Sequence, residues 1–366
     1  MKTFPIQISP EDATQELAEM NQKVVRGLRT LSRLTHDDVQ VGTAPKEAVY
    51  RDGKLILYRH TPVLPEADLF PIPVLISYAL VNRPAVADLQ ENRSLIRNLV
   101  KLGLDVYLID WGYPSRADRW LSLDDYVNGF IDGCVEFICE SRGLDQINLL
   151  GICQGGTMSL CYTSLHPEKI KNLIVMVTPV DFHAPAADGT PPGLLNVWGR
   201  GMDVNLMVEA MGNVPGDLMN FGFLMLQPFG LNVQKYTDVV DIMEDEGKLL
   251  NFLRMEEWIF DSPDQAGVMF AQFVTEFFQK NKLIKGEVQI ANETVNLANI
   301  KQPVLNIFAE KDHLVPPPAS KALAQIVGAE DYTEVAFPVG HIGMYVSGKA
   351  QKDLAPLIND WVRAHA

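Results

Sequence analysis

Residues 147–156, INLLGICQGG, set the reading of the whole chain. Ile147 to Leu150 reads as a short buried strand that runs into a Gly-x-Cys-x-Gly turn, and Gly155 and Gly156 open the helix that follows. A strand-to-helix corner this sharp leaves no room for a Cβ at its flanks, which accounts for Gly151 and Gly155. The corner exposes Cys153 at the carboxyl edge of a sheet, near a helix N-terminus whose dipole favours a thiolate. The backbone N–H of Gln154 then points where an oxyanion would form. Most free cysteines are small buried hydrophobes. Cys134, Cys139 and Cys161, set in apolar helical patterns, are read that way; Cys153 is read as a nucleophile.

Upstream of this stretch the pattern is one of strands and helices in alternation. Ala48 to Tyr50 and Leu55 to Arg59, separated by Asp52-Gly53, read as a hairpin. A strand follows at Val74 to Leu80, then the loop Val81-Asn82-Arg83-Pro84 and a helix around Ser94 to Leu102. The strand Val106 to Ile109 leads to Asp110-Trp111-Gly112, and an amphipathic helix is expected over Leu123 to Ser141. Beyond the turn helix, Asn172 to Val177 is another apolar, β-branched strand. Alternation of this kind predicts a mostly parallel sheet covered on both faces.

The rhythm breaks after Asp181 and resumes at Pro303, with strands at Val304 to Ala309 and Tyr332 to Phe337 and helices at Ala319 to Val327 and Leu354 to Arg363. The expected organisation is a helical arm at 1–45, a core at 46–181 and 300–366, and an inserted cap at 182–299. In the arm, Leu17, Met20, Val24, Leu28 and Leu31 recur at spacings of three and four; a docking helix for another subunit and a packed first helix fit equally. In the cap, Phe221 to Phe229 (FGFLMLQPF) reads first as packing, since Met and Phe stripes usually are, and second as a tunnel lining or a face for an apolar product.

Two loops after the late strands supply partners for Cys153. Asp312 follows the strand ending at Ala309, and His341 follows the strand ending at Phe337. Loops at the carboxyl edges of parallel strands converge above the sheet, so the three residues meet although they are distant in sequence. His341 would take the thiol proton, and Asp312 would orient the ring or accept a proton from an incoming hydroxyl. His313, beside the acid, is expected to point elsewhere; His183, Asp110 and Asp181 are read as outsiders or turn residues. The second oxyanion donor is placed by position in the loop after Val74 to Leu80, at the N–H of Val81 or Asn82, with Val81 taken.

Composition narrows the partners. A chain of 366 residues, 47% hydrophobic and 21% charged, has the make-up of an ordinary soluble enzyme with a large core. Its net charge of -15 argues against nucleic acid or an anionic membrane as partner, and four cysteines without CxxC spacing suggest neither a disulfide framework nor a zinc site. The N-terminal residues have no apolar h-region and no run approaches a membrane span, so the expected place is the cytoplasm.

GICQGG, VLISYALVNRP, YLIDWG, AEKDHLVP and GHIG together resemble the polyhydroxyalkanoate synthases, from about residue 40 to the end of the chain. The resemblance implies an α/β-hydrolase fold and a nucleophile, acid and histidine at Cys153, Asp312 and His341, with no departure at any of the three. It implies a substrate 3-hydroxyacyl-CoA, short-chain and of the 3-hydroxybutyryl kind, whose CoA is a leaving group, and no cofactor or metal. The moderate length resembles the catalytic subunit of the two-subunit class III enzymes, which work with a second, non-catalytic subunit on cytoplasmic polyester granules. A cysteine esterase, thioesterase or polyester depolymerase shares the same residues, and a non-catalytic granule protein on the same frame is the remaining reading. The residues leave open one cysteine or two in a dimer during elongation, and the cations Arg83, Arg116, Arg119 and Arg254 carry no mark of a CoA site.

Overall fold

The computed structural model describes residues 9–185 and 194–366. Eight strands form one sheet: β1 (Lys46–Asp52), β2 (Leu55–His60), β3 (Val74–Ser77), β4 (Val106–Asp110), β5 (Ile147–Ile152), β6 (Ile170–Met176), β7 (Val304–Ala309) and β8 (Tyr332–Phe337). Their spatial order is β1-β2-β4-β3-β5-β6-β7-β8. β1 and β2 form the antiparallel hairpin, β2 lies antiparallel on β4, and every other pairing is parallel. This is the α/β-hydrolase sheet, with β5 near its middle.

Successive side chains on a strand face opposite ways, and here both faces are apolar. Leu75, Leu149, Leu173 and Val175 join one buried cluster, while Val74, Ile76, Leu150, Ile174 and Ile307 join the other. The helices follow this split. Met158, Leu160 and Tyr162 of the helix Gln154–Leu165 cover the first face, with Cys134, Val135 and Ile138 of Asp132–Arg142. Ile96 and Leu99 of Leu95–Lys101 cover the second, with Leu354, Ile358 and Trp361 of the terminal helix Gly348–Ala364.

The helix after the nucleophile turn is buried on every side, from Gly155 to Ser164. A helix buried all round needs small or apolar residues at all positions, and GGTMSLCYTS supplies them. A Cβ on Gly155 would lie 2.3 Å from the carbonyl oxygen of Ser77, and one on Gly156 would lie 1.9 Å from Thr178 Oγ1. A Cβ on Gly151 would lie 2.6 Å from the Cα of Gly156. Gly155→Ala is therefore expected to cost about 1–3 kcal/mol of stability through forced backbone movement. A urea midpoint equal to that of the unsubstituted chain would contradict this.

Three expectations change. The strand begun at Val74 ends at Ser77 and does not run on to Leu80, because the next backbone groups bond to side chains and leave the ladder. The segment expected as one helix over Leu123 to Ser141 is π-helical over Asp125–Ile131 and becomes α-helical at Asp132. The stretch FGFLMLQPF does not form core at its ends: Phe221 is 60% exposed and Phe229 80%.

The arm is one helix, Pro10–Leu31, begun by Ser9, whose hydroxyl accepts from the N–H of Asp12. Only Gly27 is buried on it; the Met243 side chain occupies the space its Cβ would take. Lys23 and Arg26 pair with Asp241 and Glu244 at 2.9 Å. Leu17, Met20, Leu28 and Leu31 face outward, so the apolar stripe is not what holds this helix to the molecule. Among residues 182–299, helices at Val204–Met211, Gly216–Leu224, Lys235–Ile242 and Glu246–Phe260 precede a stretch that rejoins the core through Met269, Phe273, Val288 and Val295.

Candidate active site

Cys153 sits between β5 and the buried helix with φ 55° and ψ −124°. That is a left-handed, strained region for any residue but glycine, and its persistence requires surrounding structure to over-determine it. The anchors are visible. The N–H of Cys153 donates to the carbonyl of Met176 at 2.9 Å, and its own carbonyl accepts from Gly156 and Thr157 at 2.9 and 3.2 Å. The thiol is therefore fixed at the sheet edge, half-buried.

The loops after β7 and β8 bring the partners to it. His341 Nδ1 and Asp312 Oδ2 are 2.7 Å apart, and both side chains are buried. Asp312 Oδ1 accepts from the N–H groups of Leu314 and Val315, each at 2.9 Å. Burial opposes a charge on the imidazole, but the charges of Asp312 and Cys153 and a hydrogen bond to each outweigh it, raising His341 from 6.5 to about 10. The three predicted residues thus lie together, with Asp312 and Cys153 both acting on the His341 ring. The other cysteines do not share this setting: burial pushes the Cys161 thiol up to about 12 and raises those of Cys134 and Cys139.

A raised histidine gives a pH signature. The stabilisation from the charged ring is complete below about 6.5 and is lost as pH rises through about 10. Proton NMR of the His341 ring should give a midpoint near 10, moving down toward 6.5 in Asp312→Asn. A midpoint near 6.5 in the unsubstituted protein would mean that the ion pair does not form.

The loop after β3 lies against the nucleophile turn. Trp111 Nε1 donates to the carbonyl of Tyr78 at 2.9 Å, and the N–H of Leu80 donates to Gln154 Oε1 at 3.0 Å. No intramolecular acceptor takes the N–H of Gln154 or Val81 among the described residues. Tyr78 is pushed up first by burial and then by the charge of Cys153. Its ring meets Tyr345 edge-on at 6.1 Å, so two buried tyrosines stand beside the thiol. Neither tyrosine was singled out from the sequence.

The outsiders have local duties. His313 is exposed. His183 Nε2 meets the carbonyl of Phe278 at 2.8 Å, and Asp181 binds the N–H of His183 and Nδ2 of Asn281. Asp110 pairs with Arg83 at 2.5 Å, and Arg83 stacks over Tyr113. Arg254 donates to Gln90 and to the carbonyl of Asp38. Arg116 and Arg119 are exposed. No group of three or more metal-ligating side chains occurs among the described residues, and no described helix is long and apolar enough to cross a membrane.

A family model described as the alpha/beta hydrolase fold matches residues 73–347. A thermophilic esterase from Thermogutta terrifontis shares the fold, with a TM-score of 0.50 over 88% of this chain and 99% of that one at 14% identity. Whole-chain relatives are far more similar. A poly(3-hydroxyalkanoate) polymerase subunit PhaC from Synechocystis sp. is 57% identical over 363 residues, 99% of this chain and 96% of that one. The chain belongs to the PhaC family. A second PhaC, from Allochromatium vinosum, is 52% identical over 359 residues, 98% of this chain and 99% of that one. PhaC proteins are poly(3-hydroxyalkanoate) polymerases, enzymes of the acyltransferase type.

Proposed function

We propose that this PhaC-family chain polymerises 3-hydroxyacyl-CoA, of the 3-hydroxybutyryl kind, through an acyl group carried on Cys153. The observation that carries the reading is the buried Asp312–His341 pair coupled to a thiol at a strained turn. The Cys153 sulfur attacks the thioester carbonyl, and the tetrahedral oxygen takes N–H bonds from Gln154 and Val81. The C–S bond to CoA breaks, and the departing thiolate takes the proton held by His341. A neutral His341 then accepts the proton of a monomer or chain-end hydroxyl, whose oxygen attacks the acyl-cysteine. An ester forms, the Cys153 sulfur leaves, and the ion pair is restored.

In this scheme Asp312 works through His341 and does not itself take the hydroxyl proton. Its side chain is fully buried and already accepts from His341 Nδ1 and from two backbone N–H groups, which favours a role through the ring over direct contact with a substrate. Its role is to set the ring's tautomer and hold its charge. CoA is a leaving group, and the scheme needs no cofactor and no metal.

The cap, residues 182–299, keeps water from the acyl-cysteine while the next hydroxyl arrives. Its outward Phe221 and Phe229 fit an apolar polyester surface, and the outward stripe of the arm fits a second, non-catalytic synthase subunit. The place of action is then a polyester granule surface in the cytoplasm. A thioesterase, esterase or depolymerase differs only in admitting water. The test of the acyl-enzyme is peptide mass mapping after rapid mixing with 3-hydroxybutyryl-CoA. The 3-hydroxybutyryl group should be found on the peptide holding Cys153; acylation elsewhere, or none, would reject the scheme.

A further inference from the structure

We infer that Gln265, which lies in the inserted segment far from the three catalytic residues in sequence, is a positioning residue for the oxyanion site. The inference rests on the proposed use of the Val81 N–H and adds the device that aims it. Gln265 Nε2 donates to the carbonyl oxygen of Leu80 at 2.7 Å, and the residue is 3% exposed. The C=O of Leu80 and the N–H of Val81 belong to one peptide unit. That unit is planar and trans, so the two groups point in opposite directions. Holding the carbonyl toward Gln265 therefore turns the Val81 N–H away from the insertion. A rotation of this one unit would exchange the two and present a carbonyl oxygen, which repels an oxyanion.

The preceding peptide unit is held as well. The N–H of Leu80 donates to Gln154 Oε1, whose backbone is the other proposed oxyanion donor. Both peptide planes around Leu80 are thus fixed by glutamine side chains, one from the nucleophile turn and one from the insertion. Gln265 is itself pinned by its main chain, which exchanges N–H···O bonds of 3.0 and 2.8 Å with Val214. Those bonds do not depend on the side chain, so substitution leaves the anchor in place. Nearby, Trp258 Nε1 donates to the carbonyl of Arg83 at 2.8 Å and Asn82 Nδ2 to Ser262 Oγ at 2.9 Å. These bonds tie down the loop, yet neither reaches the 80–81 peptide.

The test compares two reactions of the same thiol. Alkylation of Cys153 by iodoacetamide needs the ionised sulfur but builds no oxyanion, whereas acyl transfer needs both. In Gln265→Leu and Gln265→Met, neither of which can donate to the Leu80 carbonyl, the kcat of acyl transfer should fall about 100-fold. KM and the alkylation rate should stay within about twofold, and Ser262→Ala should acylate at nearly the original rate. A parallel fall of alkylation and acylation, an unchanged kcat, or an equal loss in Ser262→Ala would each overturn the inference. Running the same variants with p-nitrophenyl 3-hydroxybutyrate separates this from the substrate proposal. That ester requires the oxyanion site but not CoA, so it reads the role of Gln265 even where acyl-CoA is not a substrate.

Discussion

Cys153→Ala should release no CoA from 3-hydroxybutyryl-CoA, a loss on the order of 10⁴-fold or more. The substitution removes the only sulfur placed by the turn. Cys134 and Cys161 are buried and Cys139 half-buried, with thiols that burial pushes up, so none of them can substitute. The fold should survive, because alanine is smaller and the strained backbone is held by main-chain bonds to Met176, Gly156 and Thr157. Relief of the φ 55° strain is not expected, since alanine has a Cβ as well. Steady CoA release by the variant, measured by thiol titration on protein whose urea transition matches the original, would remove Cys153 from the chemistry.

Asp312→Asn should separate the two half-reactions. Asparagine can still accept from Leu314 and Val315, but its amide would face His341 Nδ1 and turn the ring proton toward Cys153. An imidazole in that tautomer cannot accept a proton from the substrate side. In a serine enzyme this wrong tautomer costs about 10⁴-fold, because an alcohol needs a strong base. A thiol ionises far more readily and CoA thiolate is a good leaving group, so acylation should fall only about 10-fold. Elongation, in which a hydroxyl must lose its proton, should fall about 1,000-fold or more. The variant should then accumulate acyl-Cys153 with little polymer. Equal losses in rapid acylation and in chain growth would show that Asp312 serves both steps alike.

Much of this site was legible because it is built from local rules. A Gly-x-Cys-x-Gly corner can be read from the sequence, and the clashes that a Cβ would meet at Gly151 and Gly155 are the physical content of that pattern. Asp312 and His341 were legible for a different reason: parallel strands carry their following loops to one edge, so chain order predicts convergence. Strand ends were less legible. Tyr78, Ala79 and Leu80 have the apolar character of a strand, and only the side chains of Trp111, Gln154 and Gln265 draw their backbone out of the ladder.

The insertion was the least legible part. Its Phe and Met residues carry the same hydrophobicity whether packed or exposed, and periodicity does not say which face finds a partner. Phe221 and Phe229 face outward, against the favoured reading of the stretch as packing, and composition alone could not choose between the two. Gln265 gave no signal at all, because a single glutamine looks like any surface residue until the fold places it under a carbonyl.

In the proposed scheme an acyl group waits on Cys153 for a hydroxyl and not for water. The direct measurement is an incubation of the purified chain with 3-hydroxybutyryl-CoA, with and without a second synthase subunit, following free CoA and sizing the acyl product. CoA release should be matched by ester bonds in a long polyester and increased by the second subunit. CoA release matched by free 3-hydroxybutyrate, with no polymer under either condition, would contradict the scheme and make the chain a thioesterase.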